Sequence, residues 1–580
     1  MSVSEFARLQ EGIPARGRPG RESFPTQAKA VKLWIEALPL ANSGATARLL
    51  YNGLKELNSL DVEPLSRLEI LELLRQPVSF VVSGMDKHVI GQPLPLPQQK
   101  KQIGTVLRDF QRELELGYRQ CIVDLCQPKG AVPFLRGRHV AQAVARGLFH
   151  VGQLLQKAYL TYGEIPPGAW RDLHALMAYA VSQGIHDKSV SDPQLKGFNL
   201  TPQALYLQAL LLFITNPYRL TQKEIAEVEQ ATLVWSPYCE LRFDGKGEGV
   251  FTIDPALDQA PGVRQEDDRP WRLETAGLVR MLMNLLTGGN GLVDQPVQPR
   301  SKIGTAPALS RDLLNRLLLA WGFSGERKFQ RLPAGHRMDA AIGLQAAHFL
   351  IGGNKDLNAF VQSLSGAVLL SDRERAAAWA QASSETSKPV MGPVKVLDQS
   401  LGGYRILWDN AQNLRARVGE LVVLGQTIDA DDNDPRDWLV GVLRWLKCGN
   451  GDGLEAGVQL LSRQSEAVVV RSLSAATSSK VIHRALLLKP LKLDGEGEST
   501  LLVPALVDER EDSELLRLPD PFGYQEYAVC APLKSLRMIE NTGSYKQLLF
   551  SDALESIPDS ALGDDSGLRP NELDAIWSTV

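Results

Sequence analysis

Cysteine is scarce in this chain, and long apolar runs are missing. Five cysteines occur in 580 residues and none forms a CxxC pair, which argues against a disulfide-stapled secreted domain or a cysteine-rich zinc site. The N-terminus lacks the apolar core of a signal peptide. The longest apolar stretch, residues 204–214, is shorter than the roughly 18 residues of a membrane-spanning helix. We therefore expect a cytoplasmic protein with free thiols and no membrane span.

Neither sign of charge dominates. The chain has 63 Lys and Arg against 67 Asp and Glu, a formal net charge of -4. Electrostatic binding to nucleic acid depends on a positive excess, so no nucleic-acid partner is expected. Hydrophobic residues make up 44% and charged residues 22%, which is typical of globular proteins. The length favours about three to four domains.

The familiar catalytic motifs are also missing. The sequence has no P-loop, HExxH, GxSxG or EF-hand loop. Its eight histidines are scattered without zinc spacing, and we expect His150 and His348, which lie beside apolar residues, to belong to the core or to a helix face. We therefore predict a non-enzymatic protein without catalytic residues, cofactor or metal.

Helical periodicity fills residues 23–232, after a tail over residues 1–22 that we expect to be flexible. One apolar stripe, through Leu68 and Leu74, is predicted to begin at Pro64 and to end at Pro77. A weak tetratricopeptide-like hairpin is present at 162–185, without a repeating period. Further helices are expected near 26–38, 50–57, 97–125, 139–162, 170–180, 205–213 and 221–232. The region is interpreted as a helical bundle or an α-solenoid.

The pattern changes at residues 233–322, which connect the helices to a strand-rich half. We expect a hairpin of 233–243 with 250–254 around the turn sequence DGKGEG, then helices at 271–287 and 308–321.

Short strands separated by turns are then predicted, at 337–350, 394–397, 404–408, 420–424, 438–446, 455–461 and 467–472, with one helix near 373–381. They indicate a small antiparallel barrel over 323–475. A second β-rich domain is expected over 476–551, with Phe522, Tyr524 and Phe550 in its core. The acidic residues 552–580 are expected to be mobile.

Two motifs open the strand-rich half. Arg327 and Arg331 form an R-x-x-x-R that includes Lys328, and Asp398-Gln399-Ser400-Leu401-Gly402-Gly403 is a D-x-S-x-x-G. In this order, with strands after them, residues 325–475 resemble the PilZ domain, a bacterial receptor for cyclic di-GMP. The resemblance implies a multidomain α+β fold: an all-α bundle or solenoid, a PilZ-like antiparallel β-barrel, and a second C-terminal β-rich barrel.

The same resemblance implies that cyclic di-GMP is the ligand and that Arg327, Lys328, Arg331, Asp398, Ser400 and Gly403 bind it. The residue types suit a dinucleotide with two phosphates and two guanines. Arginine presents paired donors that match phosphate oxygens or guanine O6 and N7. A carboxylate accepts from guanine N–H groups, a hydroxyl donates or accepts, and a glycine permits close approach of the backbone.

The two motifs are 71 positions apart, from 327 to 398, which is more than the family usually has. We assign the excess to an insertion within 352–392, which loop-closure entropy tolerates. A second arginine pair, Arg373 and Arg375, lies nearer Asp398 but at the wrong spacing, and it is interpreted as the solvated first turn of a helix.

Two functions remain open from the sequence. In the first, ligand binding closes a mobile arginine loop onto the barrel and reorients the helical domain, which controls a protein partner through that domain or the acidic tail, as in motility or biofilm signalling. In the second, the protein is a non-catalytic helical scaffold with a ligand-free PilZ-like interaction module, in which the arginines are linker charges and the acidic motif is only a β-turn.

Overall fold

The computed structural model describes residues 4–552, apart from a set of internal gaps. These are 196–199, 245–248, 264–270, 288–300, 302, 323–329, 365–370, 373–374, 377–388, 412–413, 427–436, 450–452, 475–478, 492–497, 509–512 and 518–529. The chain divides into two compact units, Met1–Gln92 with Leu96–Ser324, and Pro93–Pro95 with Gly325–Val580.

The first unit is helical, as the apolar periodicity predicts. Its helices are α1 Glu5–Gln10, α2 Ala28–Glu36, α3 Ser43–Ser59, α4 Pro64–Asp86, α5 Gln98–Cys126, α6 Gly137–Leu160, α7 Ala169–Ser182, α8 Pro202–Ile214, α9 Gln222–Trp235, α10 Ala276–Thr287 and α11 Arg311–Gly322. A buried stripe of α5 through Leu107, Phe110 and Leu114 packs against α4 and α6. None of the helices in the described residues is long and apolar enough to cross a membrane.

Two details of this unit differ from the sequence analysis. Helix α4 does not end at Pro77 but continues to Asp86, because Val78, Val81 and Val82 beyond the proline are buried, and their burial offsets the lost backbone hydrogen bond. The segment predicted as a flexible tail contains α1, whose Phe6 and Leu9 are buried.

A buried ionic network lies in the helical core. Asp192 accepts from Arg75, with Nη2 and Oδ2 2.9 Å apart, and it pairs with Nη1 of Arg146 at 2.9 Å. Arg146 also donates from Nε to Oε1 of Glu72 at 3.0 Å. Buried charges are tolerated in proteins when they are paired in this way.

A four-stranded sheet follows α9 within the first unit. Its strands are β1 Glu240–Arg242, β2 Phe251–Ile253, β3 Gly262–Val263 and β4 Trp271–Glu274, in the order β1-β4-β2-β3. The predicted hairpin is therefore wrong, because β4 lies between β1 and β2. The helix predicted at 271–287 begins only at Ala276, because residues 271–274 pair with both β1 and β2 as a strand, and such pairing is not visible in the local sequence.

The second unit opens with a curled antiparallel sheet. Its strands are β5 Leu332–Pro333, β6 Arg337–Ile342, β7 Met391–Ser400, β8 Gly403–Trp408, β9 Leu421–Gln426, β10 Leu439–Cys448 and β11 Leu454–Ser462. Their order is β5-β7-β6-β9-β10-β11-β8, and an additional pairing of β7 with β8 joins β8 back to β7. This is the PilZ-like part of the predicted α+β fold.

Two short helices, α12 Leu344–Ile351 and α13 Leu357–Leu364, lie between β6 and β7 in the chain. The strand predicted at 337–350 is too long, because the backbone leaves β6 at Gly343, which has a φ of +98°. Residues after that glycine are helical and bury Ala347 and His348. The predicted helix at 373–381 lies mainly outside the described residues.

A closed barrel completes the unit. Its strands are β12 Ser465–Ser474, β13 Ser479–Leu488, β14 Thr500–Pro504, β15 Ser513–Leu516, β16 Cys530–Asn541 and β17 Tyr545–Asp552. Strand β12 pairs with β13 and β15, whereas the sequence boundary after residue 475 assigned it to the first barrel. Phe550 packs against the barrel core; Phe522, Tyr524 and the acidic tail lie outside the described residues.

One hydrophobic core joins the curled sheet and the closed barrel. Phe360 of α13, Val440 of β10, Val469 of β12 and Leu486 of β13 belong to the same buried cluster. His348 lies beside this core, and its Nε2 is 3.1 Å from the carbonyl oxygen of Val468.

His150, in the helical unit, is likewise buried, with Nδ1 2.8 Å from Oε1 of Gln111. Both histidines are core residues, as their apolar neighbours predict.

Candidate functional site

The acidic motif forms the turn of a tight hairpin between β7 and β8. Asp398 and Ser400 are in β7, Gly403 begins β8, and Leu401 with Gly402 form the two-residue turn. Asp398 is opposite Arg405 and Ser400 is opposite Gly403. Because side chains two residues apart in a strand share a face, Asp398 and Ser400 lie on one side of the hairpin.

The second motif reaches the hairpin through its last residue. Arg331 immediately precedes β5, which pairs with β7 so that Leu332 is opposite Gln399 and Pro333 is opposite Asp398. Nη1 of Arg331 donates to Oδ1 of Asp398 at 2.6 Å. Two residues that are 67 positions apart in the chain are therefore in direct contact. Arg327 and Lys328 lie outside the described residues.

A further arginine, Arg405, belongs to the same group of charges. Its Nη1 is 3.6 Å from Oδ2 of Asp398, and its Nε donates to Oε1 of Glu455 at 2.6 Å. The hydrogen bond to Glu455, and then the charges of Glu455 and Asp398, raise the pKa of Arg405. Arg331, Asp398, Arg405 and Glu455 thus form a row of alternating charges, which we call the charge row.

Sequence reasoning missed Arg405, although a signal for it was present. In a hairpin with a two-residue turn, residues at equal distances from the turn are opposite each other. Counting outwards from Leu401 and Gly402 pairs Ser400 with Gly403 and Asp398 with Arg405, as the structure has them.

Gly403 and Ser400 each have a structural reason to be where they are. A Cβ on Gly403 would lie 2.0 Å from the carbonyl oxygen of Val458 in β11, so any side chain there would push β8 and β11 apart. Oγ of Ser400 donates to the carbonyl oxygen of Gly403 at 3.3 Å and closes the turn. Neither contact requires a ligand, so the geometry alone explains this half of the motif as a turn.

The alternative arginine pair is not at this site in the described residues. Arg375 donates to Oδ1 of Asp372 at 2.6 Å in an exposed pair three residues apart, and Arg373 lies outside the described residues. Among the residues that the structure describes, no group of three or more His, Cys, Asp or Glu is placed to hold a metal.

The charge row offers both kinds of chemistry that a charged nucleotide needs. Arg331 and Arg405 present guanidinium donors for phosphate or for guanine acceptors, and Asp398 presents acceptors for guanine N–H groups. The side chain of Asp398 is 18% exposed and that of Arg331 is 36% exposed, so both are within reach of solvent. The existing ion pair means that a ligand would have to exchange contacts with groups that already have partners.

Comparison with known proteins gives two family matches. The family described as the N-terminal domain of the cyclic-di-GMP receptor FimW matches residues 29–246. The family described as the middle PilZ domain of the same receptor matches residues 250–388 and 365–466. The two segments of the second match overlap within 352–392, where the sequence analysis places an insertion.

The chain is also similar over its length to one characterised protein. It is 24% identical to the cyclic-di-GMP receptor FimW of Pseudomonas aeruginosa over 575 residues, which covers 90% of each chain. No solved structure matches.

Proposed function

The chain belongs to the PilZ domain proteins, with a large N-terminal helical region, and on this basis we propose that it is a cytoplasmic, non-catalytic receptor for cyclic di-GMP. The ligand binds at the charge row and its neighbours, with Arg327, Lys328, Arg331, Asp398, Ser400 and Gly403 as the residues of the two motifs. The observation that carries the proposal is the 2.6 Å contact between Arg331 and Asp398, because it joins the two motifs in one place.

The chemistry of each group assigns it a role. Arg331, with Arg327 and Lys328, holds the phosphates, because a planar guanidinium donates in pairs to phosphate oxygens. Asp398 accepts from the Watson-Crick edge of guanine. We add Arg405 to the site, since it is the second cation in contact with Asp398 and takes over that carboxylate when Arg331 turns to a phosphate.

The arginine motif also suggests how binding acts on the rest of the protein. Residues 323–329 connect α11, the last helix of the first unit, to Gln330 and Arg331, directly before β5. A ligand that holds Arg327 and Arg331 onto β7 fixes this connection. We propose that this changes the surface that the helical unit offers to a protein partner, as in the control of motility or biofilm formation.

Isothermal titration of the full chain with cyclic di-GMP tests the proposal, with GTP and cyclic AMP as control ligands. Arg331→Ala and Asp398→Ala should each weaken binding by about tenfold or more, since a hydrogen bond to a charged group contributes about 1.5–3 kcal/mol and about 1.4 kcal/mol is a factor of ten. Arg537→Ala, which removes an exposed arginine of the closed barrel, is the matched control and should bind as the wild type does.

Two results would refute the proposal. Full-strength binding by both Arg331→Ala and Asp398→Ala would show that the ligand binds elsewhere. Absence of saturable binding to the folded wild-type chain would favour the second function, a helical scaffold with a ligand-free PilZ-like module. Thermal melts of each variant separate loss of binding from loss of folding.

A further inference from the structure

A cavity of about 470 Å³ lies at the far end of β7 from the acidic turn. Arg337 of β6, Lys395 of β7, Trp408 at the end of β8, and Asp409 just after it are among its lining residues. Cavities of this size fall in the range that holds small-molecule ligands in proteins. None of these four residues belongs to the two sequence motifs.

The two cations of this cavity are direct cross-strand neighbours. Arg337 is opposite Lys395 in the antiparallel pairing of β6 and β7, both are exposed, and opposite residues in such a pair project from the same face. Among the described residues neither forms an ion pair with a carboxylate. Like charges directly opposite each other destabilise a sheet, and an anion between them removes that cost.

A buried donor lines the same cavity. Trp408 is 1% exposed, and its Nε1 has no hydrogen-bond partner among the described residues. Because Lys395 is opposite Leu407, the next residue, Trp408, projects from the other face of β8; its indole is therefore part of the cavity wall and not a ligand of the anion. Among the described lining residues Asp409 is the one carboxylate. Against Arg337 and Lys395 it leaves this described part of the lining with a net charge of +1.

We propose that this cavity is a phosphate-binding site in which Arg337 and Lys395 hold the anion, while the indole of Trp408 forms part of the cavity wall and reports its occupancy. The phosphate has two possible sources. Lys395 is three residues before Asp398, about 10 Å along an extended strand. The anion can therefore be a phosphate of cyclic di-GMP bound at the charge row, and this first source rests on the proposed function. The anion can equally belong to a separate phosphate compound, and this second source does not depend on the proposed function.

The test follows the indole resonance of Trp408 in the full chain labelled with ¹⁵N-tryptophan, assigned with Trp408→Phe. Inorganic phosphate is the first probe and cyclic di-GMP is the second, the latter also followed by calorimetry. The double variant Arg337→Gln with Lys395→Gln removes both charges while keeping polar side chains of similar shape. Arg537→Gln, which removes an exposed charge from the closed barrel, is the matched control.

We expect phosphate to shift the Trp408 resonance saturably in the wild type and in Arg537→Gln. In the double variant the affinity should fall by about tenfold or more. If cyclic di-GMP also binds more weakly to the double variant and phosphate competes with it, the dinucleotide supplies the anion; unchanged cyclic di-GMP binding identifies a separate phosphate compound.

The proposal is overturned if the double substitution changes neither the phosphate titration nor the cyclic di-GMP titration. Failure of the proposed function has a different sign: cyclic di-GMP binding is then unchanged in both Arg331→Ala and Asp398→Ala. In that case the phosphate titration alone tests the phosphate-binding site. Near-ultraviolet circular dichroism of each variant confirms that the fold is intact.

Discussion

The buried histidine of the second unit should make that unit sensitive to acid. His348 on α12 is 1% exposed and its ring contacts that of Phe360, with centroids 4.8 Å apart. Burial, and then the positive charge of Arg484, lower the pKa of His348 to about 4. The carbonyl of Val468 accepts from the neutral ring and holds it in place.

The pKa difference sets both the sign and the size of the effect. His348 has a pKa of about 4 in the folded protein against 6.5 as its ordinary value, so between these pH values the unfolded chain binds the proton and the folded chain does not. Stability is therefore complete above pH 6.5 and falls as the pH drops towards 4. At about 1.36 kcal/mol per pKa unit, the loss is about 2 kcal/mol at pH 5 and about 3 kcal/mol at pH 4.

The assay has to read the second unit separately. His150 and His174 in the helical unit are also buried, and burial lowers the pKa of each of them, so a global melt would mix the two units. Hydrogen exchange of the β12 and β13 amides, followed from pH 7 to pH 4 with the intrinsic exchange rate corrected, reports local opening.

His348→Gln keeps a polar side chain that does not titrate, and His336→Gln, at an exposed position of the same unit, is the control. The His348 variant starts less stable at neutral pH because it packs less well, but its stability should no longer fall between pH 6.5 and 4, whereas the control should follow the wild type. A His348→Gln variant that keeps the full acid dependence would show that burial of this ring is not its cause.

Two further substitutions test the fold around the site and in the helical core. Gly403→Ala should cost about 3 kcal/mol in urea unfolding because its Cβ meets a backbone carbonyl of β11, whereas Gly392→Ala, where the Cβ position is open, should be close to neutral; equal stability of the two would contradict the geometry. Asp192→Asn should cost about 3–5 kcal/mol because it leaves two buried arginines short of a carboxylate. The exposed pair of Asp312 makes Asp312→Asn the control, with an expected cost below about 1 kcal/mol, and similar melting curves for the two asparagine variants would refute the role of burial.

The helical half could be predicted well because its helices are long and amphipathic. Helix α5, expected after Pro97, runs from Gln98 to Cys126, and α9 is close to its expected bounds. Periodicity failed where a competing effect was stronger. Burial of the valines after Pro77 outweighed the proline, and no local pattern reveals such tertiary packing.

Short apolar segments were the main source of error in the strand-rich half. Residues 337–350 are mostly apolar, and the change from β6 to α12 depends on the positive φ of Gly343, which periodicity does not report. Strand β5 has only two residues and no pattern of its own. The assignment of β12 to the closed barrel depends on its pairing with β13 and β15. The local sequence of a strand does not predict which distant strand it pairs with.

Some contacts of the candidate site could be predicted from the local sequence, and others could not. The pairing of Asp398 with Arg405 follows from local hairpin geometry and could have been predicted without any relative. The contact of Arg331 with Asp398 spans 67 positions, and only the family resemblance suggested it. Gly403 was expected to admit a ligand, but the close approach of β11 already requires glycine there, so its presence in the motif is weak evidence for binding.

The contacts of Asp398 change how ligand binding should be understood. In this structure the carboxylate is already paired with Arg331 and Arg405, so a nucleotide must exchange these contacts and does not simply add new ones. An exposed ion pair is worth about 0–1 kcal/mol, whereas each hydrogen bond between a charged group and the ligand is worth about 1.5–3 kcal/mol. At the proposed site the exchange would therefore be favourable, and Arg405 would keep the carboxylate partnered while Arg331 moved to a phosphate. Arg331 is already held beside β7 in the structure, so the proposed binding would not have to order this arginine, which lowers its entropy cost.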